Sequence, residues 1–121
     1  MQMRVVNVEE KACLIEERHK YKLIAQLNDY QFKLVKAKRE FIWHSHKETD
    51  EMFFVVEGQM MLATREEVFE LKKGELIVVP KGVEHKPICD TECMVMLVEP
   101  SGTLNTGKAG GPLTDTDLEW V

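Results

Sequence analysis

Short runs of β-branched and aromatic residues, cut at close intervals by turn residues, set the strongest limit on how this chain folds. They fall at Tyr21 to Asn28, Tyr30 to Ala37, Phe41 to His46, Met52 to Val56, Gln59 to Thr64, Val68 to Leu71, Leu76 to Val79 and Cys93 to Val98. Asn28-Asp29, Gly58, Lys73-Gly74 and Pro80-Lys81-Gly82 separate several of them with residues that favour tight turns. Runs this short cannot carry the long amphipathic helices of an alternating α/β sheet, so the spacing predicts an all-β sandwich or barrel. The first two runs, with Asn28-Asp29 between them, predict a hairpin. Asn7 followed by Glu10 is a capping box for a short N-terminal helix reaching about Leu14.

A chain of 121 residues holds one core and one domain, with the strands over about 20–99 and an irregular tail over about 100–121. Two runs, Leu76 to Val79 and Cys93 to Val98, are apolar on both alternating faces and need cover on both sides. Burial between sheets or under the terminal segments supplies that cover, or else one face, with Met94 and Met96, is a subunit contact in a homodimer. No apolar run approaches the ~18 residues of a membrane span. Met1 to Glu10 lack the apolar block of a secretory signal, so a cytoplasmic location is expected. The net charge of −5, with scattered Lys and Arg, argues against a nucleic-acid partner. Cys13, Cys89 and Cys93 lack Cys-x-x-Cys spacing and read as reduced thiols.

The chain has four histidines, and three lie in two short segments, Trp43 to Glu51 and Pro80 to His85. On a strand, residues two apart share a face, so His44 and His46 can aim at one point while Trp43 and Ser45 turn away. The polar stretch Lys47 to Asp50 can return Glu51 as an oxygen ligand, and Pro80 and Gly82 shape a corner that delivers His85 from a later strand. Imidazoles with a carboxylate suit a first-row divalent metal.

These segments resemble the cupin superfamily, whose first motif is Gly-x5-His-x-His-x(3 or 4)-Glu-x6-Gly and whose second is Gly-x5-Pro-x-Gly-x2-His-x3-Asn. His44, His46, Glu51 and Gly58 match the first; Gly74, Pro80, Gly82 and His85 match the second. Lys38 stands where the first motif opens with Gly, and Cys89 where the second closes with Asn, and neither is a ligand in the family. Asp50 rivals Glu51, but only Glu51 leaves the motif's spacing to Gly58. His19, outside both motifs, reads as a solvated side chain.

The resemblance implies a jelly-roll β-barrel holding one divalent transition metal ion (Fe, Mn, Ni, Co, Cu or Zn) on His44, His46, Glu51 and His85. It also implies a small polar molecule as ligand or substrate. Dioxygenase-type chemistry is the leading expectation, since it needs mainly the metal and its open positions. A non-catalytic module binding a sugar or small acid, or a sugar-phosphate isomerase or epimerase, are the alternatives. Phe53 and Val55, on the strand face of Glu51, are either pocket lining or core. Gly102 to Ala109 mimics a phosphate-binding loop but ends in Ala where Ser or Thr would bind Mg²⁺, and Gly110, Gly111 and Pro112 follow at once. It reads as a surface connection, after which Leu113, Leu118 and Trp120 anchor the tail against the barrel or a neighbouring subunit.

Overall fold

Asn7 stands in extended backbone and its side-chain oxygen accepts from the Glu10 amide at 3.0 Å, which starts the helix α1, Val8–Cys13. The protein is seen in a computed structural model that describes residues 3–107, 109–114 and 118–121. After α1 come β1 (Lys22–Leu27), β2 (Tyr30–Ala37), β3 (Glu51–Glu57), β4 (Gln59–Thr64), β5 (Val68–Lys72), β6 (Leu76–Val79), β7 (His85–Ile88), β8 (Cys93–Pro100) and β9 (Glu119–Trp120). They form a six-stranded sheet in the order β6-β3-β8-β2-β1-β9 and a three-stranded sheet in the order β5-β4-β7. The all-β jelly-roll expectation holds.

The predicted hairpin is present. Leu27 stands opposite Tyr30, and Asn28 takes the left-handed conformation (φ 56°) that a two-residue hairpin turn requires. Between β3 and β4 the turn residue is Gly58 at φ 81°, where a Cβ would come within 2.9 Å of the Glu92 carbonyl oxygen. Gly58 is thus required both by its dihedral and by the close approach of the loop before β8.

One predicted run is not a strand. Phe41 to His46 makes only isolated bridges, Glu40 opposite Ile88 and His44 opposite His85. The Ile42 carbonyl, which a ladder would occupy, is instead 2.9 Å from His44 Nδ1. The segment runs beside β7, where Phe41 N donates to the Pro87 carbonyl at 2.9 Å, but Pro87 has no N–H to give back, so the ladder is interrupted and the imidazole serves the Ile42 carbonyl.

Strand β8 is buried on both faces, and the chain itself supplies the cover. Val95 and Leu97 face inward, with Val35, Phe53, Val55, Leu62 and Val79 in one core cluster. On the other face Met94 packs with Ile15, Ile24, Leu34 and Val56, and Met96, Val8 and Ala12 lie against that cluster. The N-terminal segment therefore covers Met94 and Met96, the first of the two expected readings for β8, whereas β6 lacks such cover on one face and leaves Leu76 and Val78 exposed.

The tail departs from expectation. Thr106 and Asn105 are buried rather than on a surface connection. Asn105 donates to the Leu113 carbonyl at 2.9 Å, and the Thr106 and Thr114 hydroxyls are 2.6 Å apart. Strand β9 then pairs parallel to β1, with Trp120 opposite Leu23, and Val121 joins the outer cluster. Trp120 is exposed, so its backbone rather than its ring ties down the tail. Lys108 of the phosphate-loop mimic lies outside the described residues.

Leu34 is 0% exposed at the centre of the outer cluster. Leu34→Ala is expected to lower stability by about 2–5 kcal/mol, read as a fall in the urea midpoint at unchanged slope. A loss under about 1 kcal/mol would show that the terminal cover contributes little.

Candidate metal centre

The main chains of His44 and His85 bond to each other in both directions, His44 N to His85 O at 3.0 Å and His85 N to His44 O at 2.9 Å. This bridge brings the two motif segments together. Gly82 N donates to the His46 carbonyl at 2.9 Å, adding a second tie between them. Glu51 opens β3 on the inward face shared with Phe53 and Val55. His44, His46, Glu51 and His85 thereby converge with one donor atom each, all within 4.8 Å of one another.

None of the four side chains is more than 7% exposed. Glu51 Oε1 is 3.1 Å from His85 Nε2 and 3.3 Å from His46 Nε2. His44 Nδ1 and His85 Nδ1 each lie 2.9 Å from a carbonyl oxygen, of Ile42 and Val83. A carbonyl only accepts, so each Nδ1 carries the proton and each Nε2 keeps its lone pair for the interior. His46 Nε2 is buried and has no hydrogen-bond partner among the described residues, despite its nearness to Glu51. Such an orphaned atom beside a carboxylate is what a site fitted to a cation presents. Metal–ligand bonds of about 2.0–2.2 Å place neighbouring donors roughly 3 Å apart, which the two Glu51 contacts already satisfy. The residues therefore fit a divalent metal ion.

Protonation follows the same design. Burial holds His44 down at about 4, against the weaker opposing effect of its bond to Ile42. Burial works against ionisation of Glu51, but the His46 and His85 imidazoles and the Glu99 carboxyl crowded around it outweigh that effect and hold its carboxyl well below the usual range. The neighbouring Glu99 goes the other way: burial and the charge of Glu51 raise it well above the usual carboxylate value, with Lys33 opposing. Of the two adjacent carboxyls, Glu51 is the one that ionises first.

The remaining candidates separate cleanly. Asp50 is exposed and its Oδ1 accepts from the Lys81 amide at 2.9 Å, so it shapes the corner instead of joining the quartet. The His19 ring accepts from the Lys38 amide at 3.1 Å, away from the cluster. Trp43 faces away from the quartet, with the Arg65 guanidinium 3.8 Å above its ring. Phe53 and Val55 belong to the core cluster, and Phe53 meets the His85 ring edge-on at 5.9 Å.

Sequence reasoning missed a second polar group in the interior. Lys33 and Glu99, 4% and 1% exposed, are joined from Nζ to Oε1 at 3.0 Å, and Gln31 stands opposite Glu99 on the same inward face. The signal was available: Gln31 and Lys33 alternate with Val35, and Glu99 with Val95 and Leu97, at the period of inward residues.

Residues 31–99 match the family described as Cupin domain. The fold is similar to the crystal structure of a cupin-2 domain containing protein from Shewanella frigidimarina, 48% identical with a TM-score of 0.77, covering 79% of this chain and 94% of that one. The uncharacterized protein YdbB of Bacillus subtilis is 32% identical over 73 residues, 60% of this chain; the match spans 65% of YdbB's length. A more distant likeness, in fold alone, is to hydroquinone 1,2-dioxygenase PnpCD in complex with Cd²⁺ and 4-hydroxybenzonitrile, 13% identical with a TM-score of 0.63, covering 79% of this chain and 72% of that one. With the family match spanning more than half of its residues and a two-sheet β-fold around the motif histidines, the chain belongs to the cupin family.

Proposed function

We propose that this protein is a metal-dependent cupin in which His44, His46, Glu51 and His85 hold one divalent transition metal ion, and that it acts on a small polar molecule by dioxygenase-type chemistry. The observation that carries the reading is the buried quartet, with His44 and His85 presenting Nε2 and His46 Nε2 left without a partner. When bound, such an ion supplies Lewis acidity and, if six-coordinate, two positions open to small molecules. The chain's own part is to exclude water with Phe53, Leu62 and Val79, and to fix the imidazole tautomers through the Ile42 and Val83 carbonyls. The fold it shares with PnpCD, a dioxygenase solved with Cd²⁺, supports the oxidative reading.

Elemental analysis of protein purified without added metal is expected to give about one divalent ion per chain. His46→Ala is expected to weaken metal binding at least about 100-fold, beyond the range seen for loss of an outer hydrogen-bond partner. Stoichiometric metal in that variant would show the ligand set to be wrong. Iron-loaded protein is expected to consume oxygen with a member of a panel of diols, thiols and keto acids. Metal retention without uptake across the panel would sink the oxygenase assignment and favour a binding module.

The quartet also gives the metal-free protein a pH signature. His44 sits at about 4 in the fold against 6.5 in the unfolded chain. Between these values the unfolded chain takes up a proton that the folded chain refuses, so the His44 contribution falls as the pH drops through this window. The loss reaches about 3 kcal/mol by linkage. Compared with His44→Gln, in which Glu51 and Glu99 are unchanged, the wild-type urea midpoint is expected to fall more steeply from pH 7 to about 4. Midpoints that run parallel in the two proteins would contradict a buried neutral His44.

A further inference from the structure

We propose that the free edge of β6 is a self-association surface, on which a second copy of this chain lays its own β6 antiparallel about a twofold axis through Val78. The surface is defined without reference to the metal centre.

β6 ends the six-stranded sheet and β5 ends the three-stranded one, so two strands, each unpaired on one side, flank an opening in the fold. Between them lies a cleft of about 560 Å³, lined by Leu62, Phe69, Ile77 and Val79, with Glu66 and Glu67 at one end. Phe69 stands opposite the buried Leu62 and shares its inward face, yet it is 36% exposed. On the outer face Leu76 and Val78 are 58% and 53% exposed, opposite Phe54 and Met52 of β3. Apolar surface is thus open to water on both sides of a strand whose edge is also unpaired, the combination that a partner strand covers.

The backbone determines which groups are available. The Glu75 carbonyl accepts from Val55 N at 3.0 Å and so points to β3. Alternation sends Ile77 and Val79 the same way and turns the N–H and C=O of Leu76 and Val78 to the open edge. With the axis at Val78, that residue and the partner's Val78 exchange both backbone bonds, and Leu76 N–H faces the carbonyl of the partner's Pro80. Inward residues then meet inward residues: Ile77 lies beside the partner's Val79, which closes the cleft over Phe69. Val79 also stands opposite Glu51, so the same contact keeps water from the wall behind that carboxylate. A contact of one edge with itself closes on two copies and does not propagate.

Charge selects the register and the direction. An axis at Val78 sets Glu75 opposite the partner's Lys81, whereas an axis at Ile77 sets Lys73 opposite it, with like charges facing. One Glu75 oxygen accepts from the Lys72 amide at 2.7 Å, which leaves the other for this pairing. Lys72 and Lys73 stand at the turn that joins β5 to β6, and Glu66 and Glu67 at the far end of the cleft. Antiparallel pairing lays the basic end of one copy along the acidic end of the other, and a parallel copy would bring like charges together.

Sedimentation velocity of the full chain from about 1 to 200 μM is expected to show a reversible monomer–dimer equilibrium, with a Kd on the order of 10 μM for a contact of this small size. Val78→Lys places like charges on the axis and is expected to weaken the dimer at least about 10-fold. Its melting temperature is expected to stay unchanged, because the side chain is already solvated in a single copy. In a Cys13→Ser background, Val78→Cys is expected to form an intermolecular disulfide with oxidised glutathione, and Leu76→Cys, which does not meet its own copy across the axis, is not. A monomer throughout the range, a dimer indifferent to Val78→Lys, or no cross-link at Val78 overturns the proposal. A small molecule recovered with a monomeric protein also overturns it and assigns the cleft to a ligand.

Discussion

The two-way backbone bridge between His44 and His85 is the contact on which the candidate site depends. Neither histidine is placed by a long strand of its own: His44 lies in a segment with only isolated pairings, and His85 opens the four-residue β7. The bridge sets the spacing of the two backbones, and the Ile42 and Val83 carbonyls then set the rotation of the two rings. Glu51 reaches the same point from the six-stranded sheet, where Val79 stands opposite it on β6. The quartet is thus assembled from both sheets, and the core beneath Phe53, Leu62 and Val79 keeps water away from it.

Burying four ionisable groups without a charge to balance them is unfavourable, and the fold shows how it limits that strain. Two Nδ1 protons are taken by carbonyls, Glu51 keeps its charge among the imidazoles, and Glu99 is driven toward its neutral form. A divalent cation would satisfy what remains, the carboxylate charge and the unpartnered His46 Nε2. The same logic runs on into Lys33 and Gln31, so the interior is polar at one end and apolar at the other, with Val35, Met60 and Cys93 in the dry part.

Much of this was legible in the sequence because the turn chemistry is explicit. Asn28 and Gly58 occupy turns whose dihedrals suit them, and the strands they separate lie where the apolar runs do. The candidate quartet was legible because His-x-His and Pro-x-Gly-x2-His are local patterns, and the choice of Glu51 over Asp50 followed from spacing. Phe41 to His46 misled because its alternation suits a strand, while the competition for the Ile42 carbonyl is a matter of side-chain geometry that periodicity does not carry. The tail misled for a related reason: Gly- and Thr-rich composition signals a solvated loop, yet Asn105 and Thr106 are buried by hydrogen bonds to residues eight positions away. Lys33 and Glu99 come from strands paired across the sheet, a non-local match that no single stretch of sequence displays.

The most direct test of the central claim is anomalous diffraction from crystals of the protein grown with Mn²⁺ or Zn²⁺. The expected result is one strong peak bounded by His44, His46, His85 and Glu51, with ligand distances of about 2.0–2.2 Å. A peak elsewhere, or full-length protein saturated with metal and no density between these four side chains, would contradict the account.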